Sequence, residues 1–495
     1  MENKFLQHLK EETNLGYTEN CAIKRNSTMN AVYDLFALGA AYRNRSDSDV
    51  LTLFSAAFEE NRDLALKCLF YIRDIREGSG ERRFFRVCFR WLSMKYPEIA
   101  RKNLKYISEY GRYDDMWYAT FGTPLEKDTL SFIKNLLTLD VSCKAPSLLA
   151  KWLPSENASS AKTNHYARII KNYLGMTSKQ YRKTLSYLRE KINVLERLMS
   201  AGEWNKIEFD RIPSKAGFKY RNAFARRDMI AKKYEKFAKD TTTKVNAKAL
   251  YPYECVQEAR KLYYAGIDNV DRLMVNKYWD NLADYFNGAS FNGIVVADVS
   301  GSMTWGNNNP LPIDIAVSIA LYCADKSVGS FSGNFITFES NPHLITVRGA
   351  DFVDKVRNTM KAPWGGSTNI EATFDLLLST AIKNNCNQNE IPQNVLIVSD
   401  MEFDCCVTSR NYGNDYSTLM EKIEAKWNRY GYEMPNLVFW NCNARNDNIP
   451  MKNKNGITFV SGSSPVIFQM VMSGKTAEQL MLDKLLSERY AAITA

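Results

Sequence analysis

Five oxygen-bearing side chains are spaced so that they could hold a metal ion. Asp298, Ser300 and Ser302 alternate in IVVADVSGSM, Thr368 follows the glycines of GGSTN, and Asp400 ends NVLIVSD. Ile294 to Ala297 are small or β-branched and read as a fully buried strand of a parallel sheet. Ligands collect at the carboxyl edge of such a sheet, where an acid and two hydroxyls two residues apart make a cluster of hard oxygens. The ion they suit is Mg²⁺, or another hard divalent cation such as Mn²⁺ or Ca²⁺. Sulfur and imidazole are missing from the set, which argues against zinc. Hydroxyls that ligate a metal are occupied and no base or nucleophile is positioned beside them, so a binding protein is expected, with no catalytic residues.

The elements that must position these groups follow from the apolar pattern. After the Asp298 strand come a helix from Ile313 to Lys326, strands Phe335 to Phe338 and Leu344 to Val347, and a helix from Phe352 to Met360. The Thr368 turn opens a helix from Ile370 to Ile382, which leads to the Asp400 strand. A helix Tyr416 to Arg429, strands Leu437 to Asn441 and Ile457 to Val460, and helices near Pro465 to Met472 and Ala477 to Leu486 complete a doubly wound α/β sheet of Rossmann-like type. Gly474-Lys475-Thr476 is not a phosphate loop, because Gln469 stands where the first glycine is needed.

Asp and Ser are also ordinary turn and cap residues, so D-x-S-x-S alone is a weak signal. In this order with Thr368 and Asp400, the set resembles the metal-ion-dependent adhesion site of von Willebrand factor A-type domains. The resemblance implies Asp298, Ser300, Ser302 and Thr368 as direct ligands and Asp400 as a ligand or a holder of waters. It also implies one coordination position open to a carboxylate from a partner protein.

At 495 residues, with 45% hydrophobic and 12% aromatic content, the chain is a folded protein of two to four domains. It has no apolar run long enough to span a membrane and no signal-peptide core at MENKFLQHLKEETN, so a cytoplasmic protein is expected. Ten cysteines without C-x-x-C spacing read as free thiols, including the adjacent Cys405 and Cys406. His8, His165 and His343 are given no chemistry.

Charge divides the chain. Residues 1–290 carry 49 Lys and Arg against 35 Asp and Glu, a net +14, whereas residues 291–495 are net −4. Residues 151–250 hold 23 basic and 9 acidic side chains and so account for the whole excess. A localised basic block is the electrostatic footprint of a polyanion partner. From Thr28 to about Gln257 apolar residues recur at helical spacing, and an all-α helical-repeat (HEAT-like) part over residues 1–285 is expected, with a second domain over 286–495. Residues 276–290, with Tyr278, Trp279, Tyr285 and Phe286, read as the bridge between the two.

Three stretches of the helical part carry charge in a pattern. Arg73 to Leu92 holds six arginines interleaved with aromatics, read as a helix pair whose arginines bridge Asp74, Glu77 and Glu81. In EYGRYDDMW, Asp114 or Asp115 is expected to cap a helix. From Pro213 to Lys239 one amphipathic helix is expected, with Arg221, Lys232, Lys236 and Lys239 on its outer face, Arg226 and Lys233 beside it, and Arg227 in the apolar stripe. An outer face without acids points to phosphate, and those six residues other than Arg227 are the candidate RNA contacts.

A helical array joined to an A-type domain resembles the TROVE family of Ro-type RNA-binding proteins. The phrases RDIREGSGERR, YISEYGRYDD, LLAKWLPS, YRKTLSYLREKINVLE and ADVSGSM resemble more closely an uncharacterised two-domain family of plants, fungi, large viruses and phages. The resemblance implies a non-catalytic scaffold that binds structured or misfolded RNA in a ribonucleoprotein and takes a protein partner at the metal site. The alternative is a protein-interaction or assembly module, for instance a viral one, that binds acidic proteins without RNA.

Overall fold

Strand β3, Gly293–Asp298, is buried at every position, as its small and β-branched residues require. It pairs in parallel with β4, Asn334–Phe338, on one side and with β6, Asn394–Ser399, on the other. Beyond β4 lies β5, His343–Thr346, which is antiparallel. Beyond β6 lie β7, Asn436–Asn441, and β8, Ile457–Ser461, both parallel. The six-stranded order is β5-β4-β3-β6-β7-β8, so the chain leaves β3 in one direction and returns on its other side. The sheet is mixed, with its antiparallel strand at the edge, and the reversal of order opens a crevice at the carboxyl ends of β3 and β6. A two-stranded hairpin, β1 Leu15–Tyr17 and β2 Ile23–Arg25, lies between the helices Lys4–Thr13 and Ala31–Leu38.

The computed structural model describes residues 3–286, 291–305, 309–338, 340–361, 369–404, 418–451, 456–468 and 476–495. They form two units. One contains residues 1–61 together with 250–487, and the other contains 62–249 with 488–495. This partition differs from a cut near residue 285, because the helix Ala31–Leu38 packs on the sheet and the helices Pro252–Lys261 and Val270–Asp280 pack on the helices Pro312–Lys326 and Phe352–Thr359 of the same unit. The helix Ala31–Leu38 buries seven of its eight residues. Its Tyr33 accepts a hydrogen bond from the Phe459 amide of β8 at 3.0 Å. Gly462, at φ +100°, lies so close to Ala40 that an added Cβ would sit 2.8 Å from the Ala40 Cβ, so this contact needs glycine. The expected bridge is likewise core of this unit: Trp279 stacks on Phe352 at 3.9 Å, and Phe286 packs on Tyr322 and Phe468. Arg272, 2% exposed, is held by Asp351 and Asp354.

One buried acid in this unit is destabilising. Asp34, 7% exposed, accepts the Thr28 amide at 2.8 Å, yet burial pushes its carboxyl up to about 6, with Glu60 and Asp447 adding to the effect. A raised carboxylate disfavours the folded state fully above pH 6, and the penalty disappears as pH falls below the ordinary value of 3.8. Asp34→Asn keeps an acceptor for Thr28 and is expected to stabilise the protein by roughly 1–3 kcal/mol at pH 8. Urea unfolding should show that gain at pH 8 and lose it near pH 3.

The second unit is helical among its described residues. Phe70, Phe85, Phe89 and Tyr110 form one aromatic cluster, with Phe70 5.3 Å from both Phe85 and Tyr110. Phe209, Phe224 and Tyr234 form another. The expected long helix over 213–239 is two helices, Ser214–Arg226 and Asp228–Lys239, broken where Arg227 adopts an extended backbone. In EYGRYDDMW neither acid is the N-cap. Arg112 is, and Asp115, at the third helical position, accepts the Arg112 amide at 3.0 Å.

Candidate metal site and basic surface

Four of the five oxygen-bearing side chains lie together at the crevice. Asp298 ends β3 and Asp400 follows β6, and the register sets Asp298 beside Ser399. Ser399 Oγ donates to Asp298 Oδ2 at 2.5 Å, while the Ser300 amide donates to Asp298 Oδ1 at 2.9 Å. Ser300 and Ser302 hydroxyls are 3.1 Å apart, and Ser302 also hydrogen-bonds Asp400. Asp298 and Asp400 are both 0% exposed. Thr368, its glycine turn and the Cys405–Cys406 pair lie outside the described residues.

Two buried carboxylates facing each other are electrostatically unsatisfied. Burial pushes Asp298 up to about 7, and the charge of Asp400 pushes the same way against hydrogen bonds from Ser300 and Ser399. Burial also raises Asp400, opposed by Arg445 and Ser302. Asp400 Oδ2 accepts no hydrogen bond, although the Arg445 guanidinium lies 3.1 Å away. A hard cation between these oxygens would offset the repulsion, and the donor chemistry fits one. Among the described residues no group of three or more His, Cys, Asp or Glu is arranged to hold a metal.

Sequence reasoning missed the groups around this cluster. A cleft of about 700 Å³ opens beside it, lined by Asn44, Arg45, Ser302, Trp305, Asn443 and Arg445. Trp305 is 79% exposed. Glu402, 0% exposed, accepts from the Glu19 amide and Asn446, tying the loops after β6 and β7 to the hairpin end. The only available signal was the polar run Asn441 to Asn448, which follows a buried strand and therefore lies at the same sheet edge.

The six candidate phosphate contacts divide. Arg226, Lys232 and Lys236 are exposed and their side chains have no partner among the described residues. Lys239 pairs with Glu235, and Lys233 donates to the Ile207 carbonyl at 2.9 Å over the Phe209 ring. Arg221 is not on the outer face: it is 6% exposed, donates to the Phe218 carbonyl and lies over the Phe218 ring. It lies on the buried stripe of its own helix with Ser214, Gly217, Phe218 and Phe224, so it does not offer its charge to a phosphate. Arg227 places its guanidinium over Trp204 at 4.8 Å.

A helical unit and a unit built on a mixed six-stranded sheet define a multidomain protein of helical plus α/β class. Residues 18–117 and 145–287 match the family model described as domain of unknown function DUF2828, and residues 292–489 match that of DUF7788. The chain is 30% identical over 508 residues to Uncharacterized protein L728 of Acanthamoeba polyphaga mimivirus, covering 93% of this chain and 85% of that protein. It belongs to the family that these two models and the viral protein define. A crystal structure of the Deinococcus radiodurans Ro (RSR) protein aligns with 93% of this chain and 99% of its own, with a TM-score of 0.41 and 11% identity. No helix among the described residues is long and apolar enough to cross a membrane.

Proposed function

We propose that this protein is a non-catalytic, Ro-like RNA-binding scaffold whose sheet-bearing part is a von Willebrand factor A-type domain. Its HEAT-like helical part holds RNA, and its adhesion site takes a protein partner. Support for the RNA reading comes chiefly from Arg226, Lys232 and Lys236, exposed cations without a partner among the described residues, set in a segment of net charge +14. Asp298, Ser300, Ser302 and Asp400, with Thr368, would hold Mg²⁺, which when bound supplies an open position for a partner's carboxylate. The chain's own residues would aim that carboxylate: Arg445 and Arg45 line the approach, and Trp305 offers an exposed face.

Changing Arg226, Lys232 and Lys236 together to Glu tests the RNA reading. Binding of a single-stranded oligoribonucleotide should weaken, and the salt dependence should flatten by a slope of roughly 0.7 for each phosphate that is no longer neutralised, without altered sequence preference. Unchanged affinity in the folded variant excludes this surface. Nuclease-insensitive retention of an acidic protein, with no RNA co-purifying, would favour the assembly-module alternative.

A further inference from the structure

The arginine-rich stretch does not pair as its sequence suggests. Asp74 is taken by Arg489, at 2.8 Å, and by the Tyr490 hydroxyl. Arg73 and Arg86 reach forward instead to Asp115, at 2.7 and 2.6 Å, and Arg86 also meets Asp114 at 3.0 Å. Arg112 closes on Asp114 as well. Arg82 stands among these groups, close enough to feel Arg112, Asp115, Arg86 and Arg73, yet it makes no ion pair or hydrogen bond with any described residue. Four guanidiniums therefore surround two carboxylates, and the unmatched charge is at an exposed position.

Three further features bear on this site. Arg82 begins the helix Arg82–Lys95, whose first turn contains no acid and whose N-cap supplies no side-chain bond. The N-cap itself is Glu81, so this terminus sets one carboxylate beside the partial positive charge of its amides. Desolvation first, then the charges of Arg112, Arg86 and Arg73 against the opposing charge of Asp115, lowers the Arg82 guanidinium from its usual range although part of the side chain reaches solvent. Aromatic rings fix the neighbours: Arg86 lies 4.1 Å over Tyr118, Arg112 lies 3.9 Å over Trp152, and Lys162 lies over Tyr118 and Tyr166. Guanidiniums locked in place by carboxylates and rings form a preorganised oxyanion receptor, since little side-chain freedom remains to be lost on binding.

We propose that Arg82, with Arg86 and Arg112, binds a backbone phosphate of single-stranded RNA, at a site separate from the Arg226, Lys232 and Lys236 surface. The identity of the ligand as RNA rests on the function proposed above, whereas the phosphate chemistry stands on this cluster alone. Arg86 and Arg112 are fixed by Asp114 and Asp115 and present their remaining N–H groups. Arg82 supplies the uncompensated charge.

The test uses the full chain with two probes. Inorganic pyrophosphate, followed by titration calorimetry, should bind the unaltered protein and bind Arg82→Gln at least about tenfold more weakly, with Arg82→Lys in between. A single-stranded oligoribonucleotide should lose about tenfold in affinity to Arg82→Gln, with the salt slope reduced by roughly 0.7. The Arg226, Lys232 and Lys236 variant should bind pyrophosphate as the unaltered protein does. Equal pyrophosphate binding by Arg82→Gln and the unaltered chain, or none by either, overturns the site. Lost pyrophosphate binding with RNA affinity unchanged overturns its assignment to RNA. A loss confined to Arg82→Gln, with the triple variant intact on RNA, upholds this site while removing the surface on which the function was proposed.

Discussion

Asp298→Ala is expected to abolish stabilisation of the sheet-bearing unit by Mg²⁺. An ion that binds only the folded state stabilises it by about 2.7 kcal/mol when present at a hundred times its dissociation constant. In the unaltered protein the unfolding temperature should therefore climb with Mg²⁺ and fall back with EDTA. In the variant it should not move. The same substitution should end binding of a protein partner that offers a carboxylate, because Asp298 is the acid that ends β3, would ligate the proposed ion, and accepts the Ser300 amide. RNA affinity should stay within about threefold, roughly 0.65 kcal/mol, since an acidic domain of net −4 is poorly suited to hold RNA. Loss of RNA binding from the folded variant would show that the metal touches phosphate and that the roles assigned to the two parts are wrong. A Mg²⁺ response that survives in the variant would remove Asp298 from the site.

Much of that site was legible because β-strands announce themselves. Ile294 to Ala297 and Val395 to Val398 are uninterrupted runs of small or branched residues, followed at once by Asp298 and after Ser399 by Asp400, so their polar ends had to fall at one edge of one sheet. What surrounds the site was hidden. Arg445 and Glu402 lie in loops, where no periodicity constrains placement, and their partners Asp400 and Glu19 are far away in sequence. The outcome was similar in the helices. Apolar spacing revealed that residues 31–38 are helical, but spacing cannot say what a helix packs against, and this one lies on β8 with Tyr33 against Phe459. The stripe from Tyr220 to Ala238 continued through Arg227 because the bend keeps Phe224 and Tyr234 on one cluster, 5.4 Å apart. A pattern of threes and fours is blind to a kink that preserves the buried face. Arg221 differs from expectation for another reason: the buried stripe of Ser214–Arg226 runs through Gly217, Phe218, Arg221 and Phe224, one residue off the stripe through Tyr220 and Ala223.

The largest stability effect is expected at Asp115. Its carboxylate is 0% exposed and receives Arg73 Nε at 2.8 Å, Arg86 Nε at 2.6 Å and the Arg112 amide at 3.0 Å. Gly111 is part of the same arrangement, since an added Cβ would stand 2.6 Å from Asp115 Oδ2 and 2.7 Å from Arg73 Nε. Asp115→Ala leaves Arg73, 1% exposed, as an uncompensated buried charge, and breaking such a pair costs about 3–5 kcal/mol. Hydrogen exchange at the helix Tyr113–Thr120 should accelerate accordingly, with the helices of the sheet-bearing unit unaffected. The sign of the pH dependence follows from the same contacts. Burial pushes the Asp115 carboxyl up, but Arg73 and Arg86 outweigh it and hold the group below 3.8. A depressed carboxylate contributes its stability above that ordinary value and loses it as pH falls through the lower folded one. The difference between the unaltered protein and Asp115→Ala should therefore be full at neutral pH and shrink only in strong acid. Combining Asp115→Leu with Arg73→Met, which removes both charges and keeps apolar volume, should recover much of the loss, because the cost lies in the orphaned charge more than in the missing pair. If the double substitution is as damaging as both singles added together, the two residues are not coupled and the network does not hold this unit together.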